Sequence, residues 1–371
     1  MYNFYKMKIA QISPLYESVP PKFYGGTERV VHYITEELVA QGHDVTLFAS
    51  GDSATSAKLI PGSSQSLRLD KNCIDQLAPH FTMMEMIEKQ AYQFDIIHNH
   101  IDYLMYPLIK RHSQHFITTL HGRLDIPELQ PLYKEFFKIP VISISNSQRM
   151  PIPFANWKGT VYHGLPLNLY QLVPDDGKYL VFVGRISPEK RVDRAIDIAV
   201  KAGIPLKIAA KIDKADKDYF EEVIKHLLDH PLIEMVGEVN DLGKQELYGN
   251  ALGLIYPIDW PEPFGLAMIE AMACGTPVVA YGHGSVTEVV DDGVTGFIVN
   301  SQEEAVEAVK KLQTLSRKKC REAFENRFSA ARMVNDYLAI YESLRLSGKN
   351  NFSNIVQNPK VYEAYGKNAK Q

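Results

Sequence analysis

Three cysteines in 371 residues, Cys73, Cys274 and Cys320, make no disulfide framework, because the number is odd and no pair stands at a metal-site spacing. That usage suits a reducing cytosol. No apolar run approaches the ~18 residues that a bilayer span needs, and the opening MYNFYKMKIA lacks the apolar stretch of a secretory leader, so the chain reads as soluble and cytoplasmic. Charge of one sign is also missing. Lys plus Arg total 40 against 44 for Asp plus Glu, a formal net charge of -4, which argues against nucleic acid as a partner and makes any anion site local. What is present is ample core, 45% hydrophobic and 23% charged residues, over a length that favours two globular domains.

The stretch from Tyr256 to Ala280, YPIDWPEPFGLAMIEAMACGTPVVA, places two carboxylates where a structural helix would not. Glu262 lies in a stiff turn between Pro261 and Pro263, so a helix can begin only near Phe264 or Gly265. Gly275-Thr276-Pro277 ends it, and the strand Val278 to Ala280 follows. An apolar helix this short, Leu266 to Cys274, packs against a sheet and leaves Glu270 as an acid in an apolar helix. Burying a lone carboxylate costs several kcal/mol, and the neighbouring sequence supplies no donors, whereas a polyol ligand would. Free N–H groups at the helix start add an anion site, and a rise of ~1.5 Å per residue puts Glu270 only ~7 to 8 Å along the axis from that end. The competing reading is a solvated loop acid at Glu262 and a Glu270 paired with a core Arg or Lys.

Taken in order, Lys8 to Ser13 reads as a buried strand behind a short leader, Met1 to Lys6. A Pro-rich and aromatic loop leads to a helix with Val30, Val31, Ile34, Leu38 and Val39 at helical spacing, then to the strand Asp44 to Ser50. In this βαβ unit Gly25-Gly26 can cradle a phosphate on backbone amides, or serve only as a helix-entry turn. A nicotinamide-dependent dehydrogenase is the rival, since Asp52 stands where a ribose-binding acid would. Its G-x-G-x-x-G fingerprint is absent; Gly-Gly-Thr-Glu-Arg stands there instead. Leu77 to Gln93 patterns as helix, and Phe94 to Asn99, Ile117 to Leu120 and Val141 to Ser145 as strands. His98 and His100 fall on opposite faces of an extended strand, which disfavours a shared metal. His121-Gly122 ends an apolar strand, where open α/β sheets place ligand sites; a satisfied core histidine is the bland alternative.

Pro166 to Lys178 has no periodicity and reads as a linker. A second α/β series opens with the strand Tyr179 to Val183, a turn from Gly184 to Lys190 and the helix Val192 to Ala202. Arg185 and Lys190 can aim a guanidinium and an ammonium at a diphosphate, unless both are merely solvated at a helix start. Later come the strand Ile233 to Val236, the loop Gly237-Glu238-Val239 and a helix from Glu303 to Leu315. The basic run Arg317 to Arg321 reads as a solvated face, with peripheral contact to an anionic membrane as the alternative. A last amphipathic helix spans Phe328 to Leu346, and Ser347 to Gln371 is a polar tail. The expected domains are therefore 1–165 and 166–330, with a helix at 331–346 and the tail at 347–371.

In this order Gly25-Gly26, His121-Gly122, G-R-x-x-x-x-K from Gly184 to Lys190, and E-x7-E from Glu262 to Glu270 resemble the family 4 glycosyltransferases over residues 7 to 346. One departure is His163-Gly164-Leu165-Pro166, where that family commonly shows Asn-Gly-Val-Asp. The resemblance implies a GT-B fold, two Rossmann-like domains with parallel sheets facing across a cleft, with the last helix crossing back onto the first domain. It implies a retaining enzyme that moves a hexosyl unit from a nucleotide-diphosphate sugar, a UDP-sugar ahead of GDP-mannose, to a hydroxyl acceptor, in glycan, glycolipid or small-glycoside synthesis. Arg185 and Lys190, with the amides of Gly25, Gly26 and Gly184, would take the diphosphate, and Glu270 the ribose. The loop at Val239 would hold the base through its backbone. Glu262 and the backbone of Phe264, Gly265 and Leu266 would bind the sugar hydroxyls, with His121 near the anomeric centre. Because that cation pair can stabilise the charge growing on the leaving phosphate, no metal or other cofactor is required. A sugar-nucleotide epimerase or hydrolase of the same fold, or a non-catalytic sugar-nucleotide sensor, would share these residues.

Overall fold

A computed structural model of the chain describes residues 5–22, 25–111, 116–175 and 177–356, with side chains as far as Leu346. The first sheet comprises β1 Lys8–Ile12, β2 Asp44–Ser50, β3 Lys58–Ser63, β4 Ile96–Asn99, β5 Phe116–Thr119, β6 Pro140–Ser143 and β7 Asn156–Thr160. Their spatial order is β3-β2-β1-β4-β5-β6-β7. The second comprises β8 Tyr179–Arg185, β9 Leu206–Lys211, β10 Ile233–Met235, β11 Ala251–Tyr256, β12 Val278–Tyr281 and β13 Gly296–Val299, in the order β10-β9-β8-β11-β12-β13. The strand pairings are parallel, with Ile9 of β1 opposite both Val45 of β2 and Ile96 of β4. Central strands such as β4 and β11 are buried along their whole length because helices cover both faces of each sheet, which is why they read as continuous apolar runs.

In both sheets the strand order reverses beside the first strand, between β1 and β4 and between β8 and β11. Open parallel sheets bind ligands in the crevice outside the strand carboxyl ends at such a reversal. Those ends here are Ile12, Asn99, Arg185 and Tyr256, so the motif-bearing loops that follow them are brought to one place.

Each sheet has its own core, one containing Phe48, Met83 and Phe116 and the other Phe182, Ile208 and Val279. A further core joins them through the last helix, Ala330–Val356, whose Tyr337, Leu338 and Tyr341 are fully buried. The start of that helix is zipped to the hinge: the Leu165 N–H donates to Phe328 O at 2.8 Å and the Ala330 N–H to Leu165 O at 2.8 Å. Gly164 must be glycine there, because a Cβ would stand 2.3 Å from Ser329 O. The domains also clasp each other on either side. Arg29 donates to both carboxylate oxygens of Asp241 at 2.8 Å, and Glu288 accepts the Asn146 and Ser147 N–H groups at 2.8 Å each.

Several expectations need correction. The edge strands β3 and β7 bury none of their residues, so neither shows the apolar run by which strands are read. The helix Asp241–Gly249 also went unread; it starts at Asn240, whose side chain accepts from the Gly243 N–H, but little of it is apolar. His98 and His100 do not face apart: β4 stops at Asn99, the chain turns, and their rings lie 3.9 Å apart between centroids. The basic run at Arg317 is solvated only in part: Lys318 and Lys319 are exposed, whereas its two arginines turn inward. Arg317 is 8% exposed and donates to the carbonyls of Val173, Gly249 and Ala251 at 2.6 to 2.8 Å, and Arg321 donates to those of Tyr170 and Ala273. One turn apart on one helix, the two arginines reach carbonyls at the ends of the helices Asp241–Gly249 and Leu266–Ala273, on the strand at Ala251 and on the connecting segment at Tyr170 and Val173, so both guanidiniums serve the interior. The last helix continues to Val356, into the stretch expected to be tail. The rest of that tail, 357–371, and most of the expected leader lie outside the described residues.

Candidate active site

The Gly26–Ala40 and Leu266–Ala273 helices both begin without a side-chain cap, at Gly25 and Gly265 respectively. Gly265 adopts φ 83°, a left-handed conformation open to glycine, and a Cβ there would strike the Tyr256 hydroxyl at 2.6 Å. A Cβ on Gly26 would meet Leu266 Cδ1 at 3.9 Å, so the two helix starts confront each other across the cleft. Their free N–H groups and positive dipole ends converge on a cavity of about 640 Å³. Every residue that the family resemblance assigns to the site lines this cavity: Gly25, Gly26 and His121 from the first domain, and Gly184, Arg185, Lys190, Val239, Glu262, Phe264, Gly265, Leu266 and Glu270 from the second. Asp52 does not. Its carboxylate accepts from Ser50 Oγ at 2.7 Å and the Ser66 N–H at 2.8 Å, which removes the ribose acid on which the dehydrogenase reading depended.

The charged groups assigned to the site from the sequence are already paired. Lys190 forms an ion pair with Glu262, whose Oε2 also accepts from the Trp260 indole N–H at 3.0 Å. The Trp260 ring lies beneath the Lys190 ammonium at 5.3 Å and beneath the Arg123 guanidinium at 5.4 Å. Arg185 pairs with Glu189 and stands 3.6 Å from Asp216. Glu270, only 2% exposed, receives Lys244 Nζ at 2.7 Å and the Tyr248 hydroxyl at 3.1 Å. Of the two readings of Glu270, the structure shows the one in which it pairs with a core lysine. Its donors come from Lys244 and Tyr248, one turn apart on the unread helix, and this burial by itself does not require a ligand.

Behind the cavity runs a stack of aromatic rings, His98, His100, His121, His163 and Phe264, with successive centroids 3.9, 5.1, 5.3 and 4.9 Å apart. Gln11 fixes the protons. Its Oε1 can only accept, at 2.8 Å from His100 Nε2, so that nitrogen carries hydrogen and His100 Nδ1 must accept from His121 Nε2 at 2.8 Å. His121 Nδ1 is then a bare acceptor, buried without a partner, as is Nδ1 of His163. Burial holds His121 down to about 3 and keeps His98, His100 and His163 well below the ordinary imidazole range. A neutral His121 can accept a hydrogen bond from a hydroxyl but cannot act as a cation. Beside it Asp102 adopts φ 48°, rare for a side-chain-bearing residue, and burial pushes its carboxyl up to about 6.

Sequence reasoning missed Lys244, Tyr248, Trp260 and Asp102. Only Trp260, two residues before Glu262, stood within a motif already under scrutiny; the others depend on packing between distant segments.

Comparisons with known proteins agree with this geometry. The family model for glycosyl transferases group 1 matches residues 171–328, and that for glycosyltransferase family 4 matches residues 24–150. An uncharacterised protein from the cps region of Klebsiella pneumoniae is 30% identical over 171 residues, 44% of this chain and 46% of that protein. An uncharacterised glycosyltransferase of Methanocaldococcus jannaschii is 26% identical over 347 residues, covering 79% of this chain and 85% of its own. Among solved structures, Anabaena HepE in complex with UDP and glucose superposes with a TM-score of 0.70 at 19% identity, over 91% of this chain and 100% of that one. No helix among the described residues is long and apolar enough to cross a membrane. With two parallel sheets facing across a cleft and both family models matched in order, the chain belongs to the family 4 glycosyltransferases and has the GT-B fold.

Proposed function

We propose that this glycosyltransferase moves a hexosyl unit from a nucleotide-diphosphate sugar to a hydroxyl acceptor with retention and without a metal, a UDP-sugar being favoured over GDP-mannose. The observation that carries the reading is the convergence of two uncapped helix starts, the Arg185 and Lys190 cations and the Glu262 and Glu270 carboxylates on one cavity. The complex of HepE with UDP and glucose supports uridine as the first base to try.

Breaking the bond between sugar and diphosphate leaves negative charge on the phosphate, and donors fixed in place before reaction stabilise it without reorganising. Arg185, Lys190 and the amides at Gly25 and Gly26 are such donors. Glu270 binds the ribose hydroxyls, the backbone at Val239 holds the base, and Glu262 with the backbone of Phe264, Gly265 and Leu266 binds the sugar. His121, neutral and with Nδ1 unpartnered, accepts from a hydroxyl close to the reacting centre. Attack and departure share one face of the sugar.

Thermal unfolding of wild type and Glu270→Ala with UDP, GDP, ADP and NAD, each with and without chelator, tests the donor site. A ligand at 100 times its dissociation constant adds ~2.7 kcal/mol. Stabilisation by one diphosphate, insensitive to chelator and reduced in the variant, is expected; stabilisation by NAD alone would refute the reading. With the donor identified, Lys190→Ala should lower turnover by ~10² or more, and unchanged turnover would remove Lys190 from the mechanism.

A further inference from the structure

The wall of the cavity facing away from Arg185 and Lys190 is made by the first domain and includes Tyr16, Leu77, His80, Tyr103 and Leu104. His80 fastens it. The imidazole is fully buried, Nε2 accepts the Leu15 N–H at 3.1 Å, Nδ1 donates to Gln76 O at 2.7 Å, and the ring lies 4.9 Å from that of Tyr16. The neighbouring strip is pinned alongside, with the Leu67 N–H donating to Leu15 O and the Arg68 N–H to Tyr16 O. These bonds fix the first turn of the helix Leu77–Glu88 at the cavity mouth.

That fixed rim is apolar and open. Leu69, Ile74, Leu77 and Phe81 are 51, 100, 48 and 57% exposed. Leu77 lines the cavity, and Phe81, four residues on, shares its helix face, so apolar side chains continue from the cavity lining onto the exposed surface of that helix. Of these four only Phe81 offers a flat face to a sugar ring, and Leu69, Ile74 and Leu77 shelter an alkyl chain instead. Asp70, Lys71 and Asp75 along the same strip mix their signs, which gives an anionic bilayer no cationic patch to hold.

We propose that the acceptor is an amphiphile, whose hydroxyl enters the cavity beside His121 while its apolar chain lies along Leu77, Phe81, Ile74 and Leu69. The occupant is the alkyl chain of a single acceptor molecule, and the proposal rests on the transferase reading given above. It says which class of acceptor that reaction uses.

The test titrates methyl, hexyl and octyl β-glucoside, all below micelle formation, into the full chain with and without saturating UDP, and follows heat. Binding should tighten roughly two- to fourfold per methylene from hexyl to octyl as the chain is buried. Leu77→Ser and Phe81→Ser, both at exposed positions, should each weaken octyl glucoside at least fivefold while leaving the melting temperature and UDP affinity unchanged. Equal binding of the three glucosides, or a series that neither variant flattens, would overturn the proposal. So would tight sedimentation with neutral phosphatidylcholine vesicles combined with a flat glucoside series, which would make the rim a bilayer contact. UDP alone separates the two readings: octyl glucoside binding without UDP binding would sink the donor site and leave an apolar-chain site standing. UDP binding with a flat series would do the reverse.

Discussion

Acid should unfold this protein earlier than its carboxylates alone would dictate, because His98, His100, His121 and His163 are buried neutral. An imidazole whose folded pKa is depressed takes up its proton only on unfolding. Its contribution to stability is complete above the unfolded value of 6.5 and is lost as the pH falls through 6.5 toward the folded value, about 3 for His121. Between pH 7.5 and 5.5 each histidine that stays neutral costs about 1.4 kcal/mol, and four together cost about 5 kcal/mol. Asp102 works the other way. Its carboxyl, raised from 3.8 to about 6, is more protonated in the folded state, so acidification to pH 5.5 returns somewhat under ~1 kcal/mol. The net loss is therefore on the order of 4 kcal/mol, a large part of an ordinary domain's stability. Calorimetric melting at pH 7.5, 6.5 and 5.5 should show a steep fall, with about three protons taken up on unfolding at pH 5.5 after the release from Asp102 is subtracted, and about one fewer in His163→Asn. A melting temperature flat over that range, or carbon resonances assigned to His98, His100, His121 or His163 titrating near 6.5 in the folded protein, would refute the burial argument.

Other perturbations act on single groups. Glu262→Gln removes the carboxylate that competes for Lys190, so free UDP should bind several-fold tighter while turnover of the nucleotide sugar falls by ~10²; titration and initial rates check the opposed signs. Trp260→Phe keeps the ring beneath Lys190 but deletes the N–H to Glu262, and should raise KM for the nucleotide sugar roughly three- to tenfold with UDP affinity unchanged in a parallel titration. Arg317→Ala leaves buried carbonyls at Val173, Gly249 and Ala251 without their donor, and should cost on the order of 3–5 kcal/mol by denaturant melting. Arg317→Lys should recover only part of that, since an ammonium cannot fork across separate carbonyls.

What could be read in the sequence followed burial and local chemistry. The strand within Phe94 to Asn99 is buried throughout and the Leu180-Val181-Phe182 centre of YLVFVGR is buried, and Pro261, Pro263 and Gly275 bracket the glutamate-bearing helix as local sterics require. The edge strands and the helix Asp241–Gly249 offer no such signal, because their stability comes from neighbours rather than from their own pattern. Pairing was the hardest to read. Nothing near Arg317 in the chain tells that it reaches Val173 and Gly249, and nothing near Glu270 tells that Lys244 approaches it; both contacts join segments that only the folded sheets bring together. The histidine stack is hidden for the same reason, since its members lie at the ends of different strands and at the hinge.

The ion pairs within the cavity bear on selectivity as well as stability. Lys190 is held by Glu262, Lys244 by Glu270 and Arg185 by Glu189, so the walls already carry a carboxylate for each of these cations. An arriving anion must exchange with those carboxylates rather than fill an electrically vacant site. A single phosphate gains little by that exchange, because it trades one carboxylate contact for another of similar geometry at the expense of its own hydration. On the proposed donor reading a diphosphate joined to a sugar would gain more: its charges would reach Arg185, Lys190 and both helix starts together, while the Glu262 it displaces would find new donors in the sugar's hydroxyls. The reward for releasing Glu262 is thus supplied by the sugar and not by the nucleotide. Occupancy by the whole donor is favoured over occupancy by its spent half, and that ordering is one a transferase needs in order to let its nucleotide product go.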